Sequence, residues 1–514
     1  MMNRLPQPFG AGRPRCALPS ESHELPLRAD PVVERCQGRP KPVHWFVLLA
    51  VLFGLVCRLS QYAANTSLWH DEAYVALSIL HKSFAGLLGP LDWKEASPPG
   101  FLVVEKLVVA FLGRSEYALR LVPLVAGLAG MICFVGLARR VCGAGVAAFF
   151  AVLMMAASVK LIVQSNEVKH FTVDLLLAVL LGWLAIRIWH LRSLGPALLA
   201  WGALGAAGPW LSYASLFVFA GTSLALAPRV IRAWHWPVWA TYLAANLAVL
   251  ISLVLLLGPI RAQLSEEMLG FWAKGFPDTS SLAALVYWLG RSHLGLFDYF
   301  WRPFGGVLIP LALLGGVCWW RTDRRPELVC LWLPVLMALA ASFLHRWPFG
   351  GNQQMVFAAP AALLLAAEGV DSLRRRLTRW HALAGWTVVV CLLLPGLVDA
   401  AYRIGTPRLR HEVRPVIEFV QRHLQPADQL LVFIPAEFEF YTGRDFRDTS
   451  VEPDPSARVW VIVGGSRSKG MPLPAQAVLD RLVRRRPELQ AMEEYGAAAY
   501  LFGPERGPGT RPSP

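Results

Sequence analysis

The sequence predicts an α-helical polytopic membrane protein of about eleven transmembrane helices, followed by a small α/β domain on the exterior side. Three observations carry this expectation. Of 514 residues, 55% are hydrophobic and only 16% charged, where a soluble globular protein carries roughly 25% charged residues. Apolar runs of near-spanning length recur along the chain. Beyond position 400 the texture changes to short helix-like and strand-like segments. A soluble class is excluded because 20 Trp and 26 Phe overfill one soluble core, and disorder is excluded because so much apolar surface must be buried. The net charge of +14 does not point to nucleic acid, since Lys and Arg fall in short clusters between apolar runs, the pattern of cytoplasmic loops.

Residues 1–43 are polar and rich in Pro and Arg, which predicts a disordered cytoplasmic tail, too long and too polar to begin a cleaved signal peptide. The run 45–62 is then a retained first span. Further runs follow at 120–137, 145–163, 171–188, 196–227, 237–257, 306–320, 328–344, 354–370 and 382–400. The run 196–227 is too long for one helix and is interrupted by Gly208, Pro209, Ser212 and Tyr213, so it reads as two helices with a turn. With the tail inside, every loop expected in the cytoplasm is basic: Arg139 and Arg140, Arg187 with Arg192, Arg229 with Arg232, Arg321 with Arg324 and Arg325, and Arg374 to Arg376 with Arg379. An error of one span would invert all later loops, so span count and charge support each other. The eight Cys fall in the tail, the expected helices or their cytoplasmic ends, which suggests no exterior disulfide framework.

Three stretches, 63–119, 258–305 and 401–514, face outward and are too polar to span. Within the last, 414–424 and 475–485 read as helices and 430–434 and 459–463 as buried strands. Gly464-Gly465 after a strand reads as a turn rather than a phosphate loop. Trp272, Trp288 and Trp301 read as interfacial belt anchors.

Chemistry concentrates around Trp69-His70-Asp71-Glu72-Ala73-Tyr74, just beyond the first span. Two adjacent carboxylates here open a short amphipathic surface helix, where the dipole favours negative charge; helix capping is the plain alternative. Next comes Asp92-Trp93-Lys94-Glu95-Ala96-Ser97-Pro98-Pro99-Gly100. The prolines suit a helix start, and Lys94 and Glu95 beside a membrane-embedded helix require partners or an anionic ligand. Gln164 to Asp174, with Glu167, Lys169 and His170, and Trp347-Pro348-Phe349-Gly350-Gly351 fall on the same outward face.

In this order, Asp-Glu-Ala-Tyr after the first span, the Pro-Pro pair, Gly113 to Pro123, the Glu-x-Lys-x-aromatic of residues 167–171 and the Trp-Pro-Phe-Gly-Gly loop resemble the GT-C membrane glycosyltransferases. Within them the sequence is similar to the glycosyltransferase family 39-like group of protein O-mannosyltransferases and lipid A aminoarabinose transferases, including the lipopolysaccharide-core galacturonosyltransferase-like branch. The resemblance covers residues 44–400. It implies transfer of a sugar from a polyprenyl-phosphate donor to a glycolipid, glycan or protein acceptor outside the bacterial inner membrane, with the N-terminus cytoplasmic and the C-terminus periplasmic. By the motif match, Asp71 is the expected general base. Glu72 would orient the acceptor or, with Asp71, hold a divalent cation, the one cofactor left open. The departing lipid phosphate needs cations close by, and Lys94, Lys169, His170 and Arg346 are the candidates, with headgroup anchoring as the alternative for Arg346. Glu167, Tyr74 and Glu95 are expected to position substrate. The rival classes are a polyprenyl-lipid transporter or flippase, for which no inverted repeat is visible, and a non-catalytic envelope assembly protein.

Overall fold

The computed structural model describes residues 42–505 apart from 94, 234, 446–451 and 469. The expected tail, up to residue 41, and Lys94 therefore lie outside the described residues. In chain order the helices are α1 (Pro42–Ala63), α2 (His70–His81), α3 (Pro99–Leu112), α4 (Glu116–Cys142), α5 (Val146–Ala157), α6 (Val159–Gln164), α7 (Phe171–His190), α8 (Gly195–Leu211), α9 (Ser215–Ala233), α10 (Trp236–Gln263), α11 (Glu266–Trp272), α12 (Leu282–Phe300), α13 (Gly305–Trp320), α14 (Arg325–Phe343), α15 (Ala359–Thr378), α16 (Ala382–Gly405), α17 (Val413–His423), α18 (Pro435–Thr442) and α19 (Leu473–Arg485). Strands β1 (Gln429–Val432), β2 (Val459–Gly464), β3 (Glu488–Glu494) and β4 (Ala497–Phe502) complete the chain.

All eleven expected spans are helical, but not all are long. Among the described residues eight helices are long and apolar enough to cross a membrane, or nine if α12 and α13, which meet at a 96° bend, count as one. The other expected spans are the short helices α5, α8 and α13, of 12, 17 and 16 residues. The run 145–163 is broken at Ser158, for a reason supplied by α1. Arg58 of that helix is wholly buried, and its guanidinium donates to Ala156 O at 3.1 Å and Met155 O at 3.2 Å. These are carbonyls at the end of α5 that the break leaves without an intrahelical donor.

α15 is buried along almost its whole apolar length and forms the centre of the bundle. It crosses α13 with backbones nearly touching, because a Cβ at Gly315 would collide with Leu365 O and one at Gly369 with Leu311 O. Small residues at such crossings replace the hydrophobic drive that lipid does not supply. The basic loops gather at one end: Arg229 donates to Leu191 O at 2.9 Å, His190 meets Glu327 at 2.8 Å, and Arg324 meets Glu368 at 3.0 Å.

After α16 the chain builds a four-stranded sheet in the order β1-β2-β4-β3, with β1 and β2 parallel and the remaining pairs antiparallel. Alternation along β2 and β4 gives the sheet two apolar faces. Trp460, Ile462, Ala499 and Leu501 pack with α17, while Val459, Val461, Val463, Tyr500 and Phe502 pack with α19. Gly465 takes a positive φ of 93° and its N–H donates to Gly496 O at 2.7 Å, which makes Gly464-Gly465 a turn. Trp288 and Trp301 correct the belt-anchor expectation, being 6% and 2% exposed. Trp301 Nε1 donates to Leu392 O at 2.9 Å, so packing rather than the interface takes these rings.

Candidate active site

Ser67 and Leu68 lead from α1 into α2 and are fixed by the C-terminal region. Ser67 Oγ donates to Glu412 at 3.1 Å, and Leu68 N donates to Tyr441 Oη at 2.9 Å. Trp69 then caps α2, its carbonyl accepting from Glu72 N at 2.9 Å and Ala73 N at 3.0 Å. No side chain caps this helix. Asp71 thus sits in the first turn without serving as the cap, and its Oδ1 lies 3.0 Å from Nε2 of His70. Burial disfavours its charge, but the hydrogen bond from His70 and the charges of Lys169, His70 and Arg410 outweigh it and hold Asp71 below the ordinary carboxylate range.

Its neighbour Glu72 turns the other way. It is 1% exposed; Arg120 grips it with Nε to Oε1 at 2.9 Å and Nη2 to Oε2 at 2.7 Å, and Val168 N donates to Oε1 at 2.9 Å. One carboxylate therefore ties α2, α4 and the loop before α7 together.

That loop carries the second expected cluster. Lys169 is buried, with Nζ 2.9 Å from Oε2 of Glu95. Burial opposes its charge, yet Glu95, Asp71 and Glu167 raise its pKa above the ordinary lysine value. His170 is buried with Nδ1 3.4 Å from Ser97 Oγ, and burial, followed by the charge of Lys169, pushes it down to about 3. At neutral pH it is an uncharged ring, which can offer a hydrogen bond but not a positive charge. Glu167 is buried 2.6 Å from Arg410 Nη2, and burial raises its pKa above the usual value. Tyr74 stacks on Trp93 at 5.2 Å and 9°.

These groups meet at a cavity of about 1490 Å³. Asp71, Tyr74, Glu95, Lys169 and His170 line it, with Lys160, Lys274, Arg291, the loop Trp347–Gln354 and Arg410. Glu72 and Glu167 lie behind the wall, outside the lining. Arg346 is exposed and does not line the cavity, although the residues after it do. A second cavity of about 660 Å³ shares His70, Lys160, Tyr299 and Arg410 with the first and adds Arg302, Arg403, Arg408 and His411.

Lys160, Arg408 and Arg410 were not anticipated. Lys160 sits within an apolar run, and Arg408-Leu409-Arg410-His411 looks like an ordinary juxtamembrane basic cluster. The one sequence clue was its place directly after the last span. Arg410 lies over Trp69, its guanidinium carbon 3.9 Å from the ring centroid, which sets it beside α2. Two further groups approach His70 from the C-terminal region: His411, lowered to about 4 by burial and by the charges of His70 and Arg410, and Glu437, raised to about 7 by burial.

No family model matches the sequence, and no curated protein matches it. The fold does have relatives among solved structures. ArnT from Cupriavidus metallidurans bound to undecaprenyl phosphate aligns with a TM-score of 0.54 at 16% identity, covering 90% of this chain and 98% of that one. The same protein in the apo state gives 0.50 at 15% identity, covering 89% and 97%. Archaeal oligosaccharyltransferase AglB from Archaeoglobus fulgidus, in complex with an inhibitory peptide and a dolichol-phosphate, gives 0.50 at 12% identity over 78% of this chain. This chain spans 64% of the length of AglB. The chain thus shares its fold with ArnT and AglB.

Proposed function

We propose that this chain is a membrane glycosyltransferase that moves a sugar from a polyprenyl-phosphate donor to a hydroxyl of a glycolipid, glycan or protein on the exterior face of a bacterial inner membrane. The observation that carries the reading is Asp71 in the wall of the 1490 Å³ cavity, ionised and flanked by Lys169 and Arg410. The structural likeness to ArnT bound to undecaprenyl phosphate supports the donor class.

In this reading the acceptor oxygen attacks the anomeric carbon and its proton passes to Asp71. The bond from that carbon to the phosphate oxygen breaks, and the lipid leaves as a monophosphate. Lys169, Arg410 and Lys160 balance the charge that grows on it, and His170 donates or accepts as a neutral ring. Tyr74 and Glu95 shape the sugar pocket. Glu72 and Glu167 act at one remove, the first by fixing α2 through Arg120 and the second by holding Arg410. Arg346 stays a headgroup contact. Residues 44–400 form the membrane domain and 401–514 an exterior domain, with the basic loops in the cytoplasm.

The test is direct. Purified protein incubated with candidate polyprenyl-phosphate sugars should release the lipid phosphate in step with acceptor glycosylation, and mass spectrometry of envelope glycans from cells lacking the protein should show a lost sugar increment. Unaltered envelope masses, together with no donor turnover, would reject the reading.

A further inference from the structure

We propose that His70, His411 and Glu437 form a site for one divalent transition-metal ion of the zinc class, joining the C-terminal region to the start of α2. The potential ligand atoms of these three residues lie within 4.8 Å of one another, so small side-chain rotations bring them onto one ion. They come from three separate parts of the chain: α2, the segment after α16, and α18. Two imidazoles and one carboxylate are the ligand chemistry that zinc prefers, and three protein ligands leave a position open.

A second observation points to a missing cation. Glu437 is 1% exposed, and its Oε1 is buried without a hydrogen bond. Nδ1 of His411 is likewise buried and without a partner. A buried carboxylate oxygen with nothing to accept from is costly unless a cation answers it. The guanidinium of Arg410 does not answer it: it pairs with Glu167 at 2.6 Å and lies over the face of Trp69. The carboxylate of Asp71 engages one ring nitrogen of His70, the arrangement by which an outer carboxylate fixes a ligating imidazole. An entry path exists, since His70 and His411 both line the 660 Å³ cavity. Asp71 and Glu72 are poorer ligands: Asp71 is turned to His70, and Glu72 is occupied by Arg120 and Val168.

The proposal does not rest on the transferase reading, and its test needs no substrate. Full-length, tag-free protein in detergent is stripped with chelator and titrated with Co²⁺, then with Zn²⁺ in competition. The expected result is one Co²⁺ per chain with the visible d–d absorption of a four- or five-coordinate site, displaced by Zn²⁺. Glu437→Gln and His411→Ala, each removing a direct ligand, should each weaken binding by at least the roughly 10- to 100-fold that loss of an outer-sphere partner costs, while His235→Ala, an exposed histidine elsewhere, should bind as wild type. As a check that needs no variant, Zn²⁺ should protect His70 and His411 of the wild-type chain from carbethoxylation, mapped by mass spectrometry. Absence of stoichiometric Co²⁺ binding, binding undiminished in the Glu437→Gln, His411→Ala double variant, or failure of Zn²⁺ to protect both histidines overturns the proposal.

Discussion

Arg120 and Glu72 form a two-pronged ion pair in the interior, with contacts of 2.9 and 2.7 Å and side chains 5% and 2% exposed. The same guanidinium also donates to Thr66 O at 2.7 Å and Ser67 O at 3.3 Å. The residues that position Asp71 therefore hang on one side chain of α4.

Removing either partner leaves an uncompensated buried charge, so Glu72→Ala and Arg120→Ala should each destabilise by about 3 to 5 kcal/mol. Thermal unfolding in detergent measures this. Arg120→Lys keeps the charge but not the fork and should also be markedly less stable than wild type. Stability equal to wild type in all three would show that the pair does not hold the site.

The sequence announced this region only in part. Asp71-Glu72 was legible because two carboxylates stand where the first span ends, and Pro98-Pro99 because they open α3 as expected. That one carboxylate faces the cavity and the other the interior was not legible, since neighbouring residues on a helix point about 100° apart and only tertiary packing says which way is in. Ser158 gave no sign of a helix break, because the donor that satisfies the freed carbonyls is Arg58, on another helix. α17, α19, β1 and β2 followed from their periodicity. β3, as Glu-Leu-Gln-Ala-Met-Glu-Glu, lies largely exposed and lacks an apolar alternation to declare it. Arg410, His411 and Glu437 join the site only through the seating of the C-terminal region on α2.

Burial holds the folded-state pKa of His170 at about 3, below the ordinary value of 6.5. A group depressed in this way contributes stability above the unfolded-state value, and that stability is lost as pH falls from about 6.5 toward 3. Lys169 and Asp174 face the ring and stay in place in the test. His170→Gln should therefore flatten the fall in melting temperature between about pH 6.5 and 4. An unchanged slope would assign the acid sensitivity to other groups.

Lys169 should meet the donor phosphate. Its replacement by Ala removes one charged hydrogen bond, which should weaken donor use by on the order of 1 to 3 kcal/mol in kcat/KM. The melting temperature reports separately on the loss of its pair with Glu95. Unchanged donor kinetics in a folded variant would take Lys169 out of the site.

Orientation has its own test. A reporter active only outside the inner membrane, fused after Arg403, should be active, since the basic loops predict residues beyond α16 on the exterior side. Activity of a cytoplasmic reporter there would move Asp71 to the wrong face.

The central claim is that Asp71 takes the acceptor's proton. Asp71→Asn keeps the size of the side chain and much of its hydrogen bonding but removes its basicity. Turnover at saturating donor, measured for the folded variant, should fall by roughly 100 to 10,000-fold; turnover equal to wild type under those conditions would contradict the account.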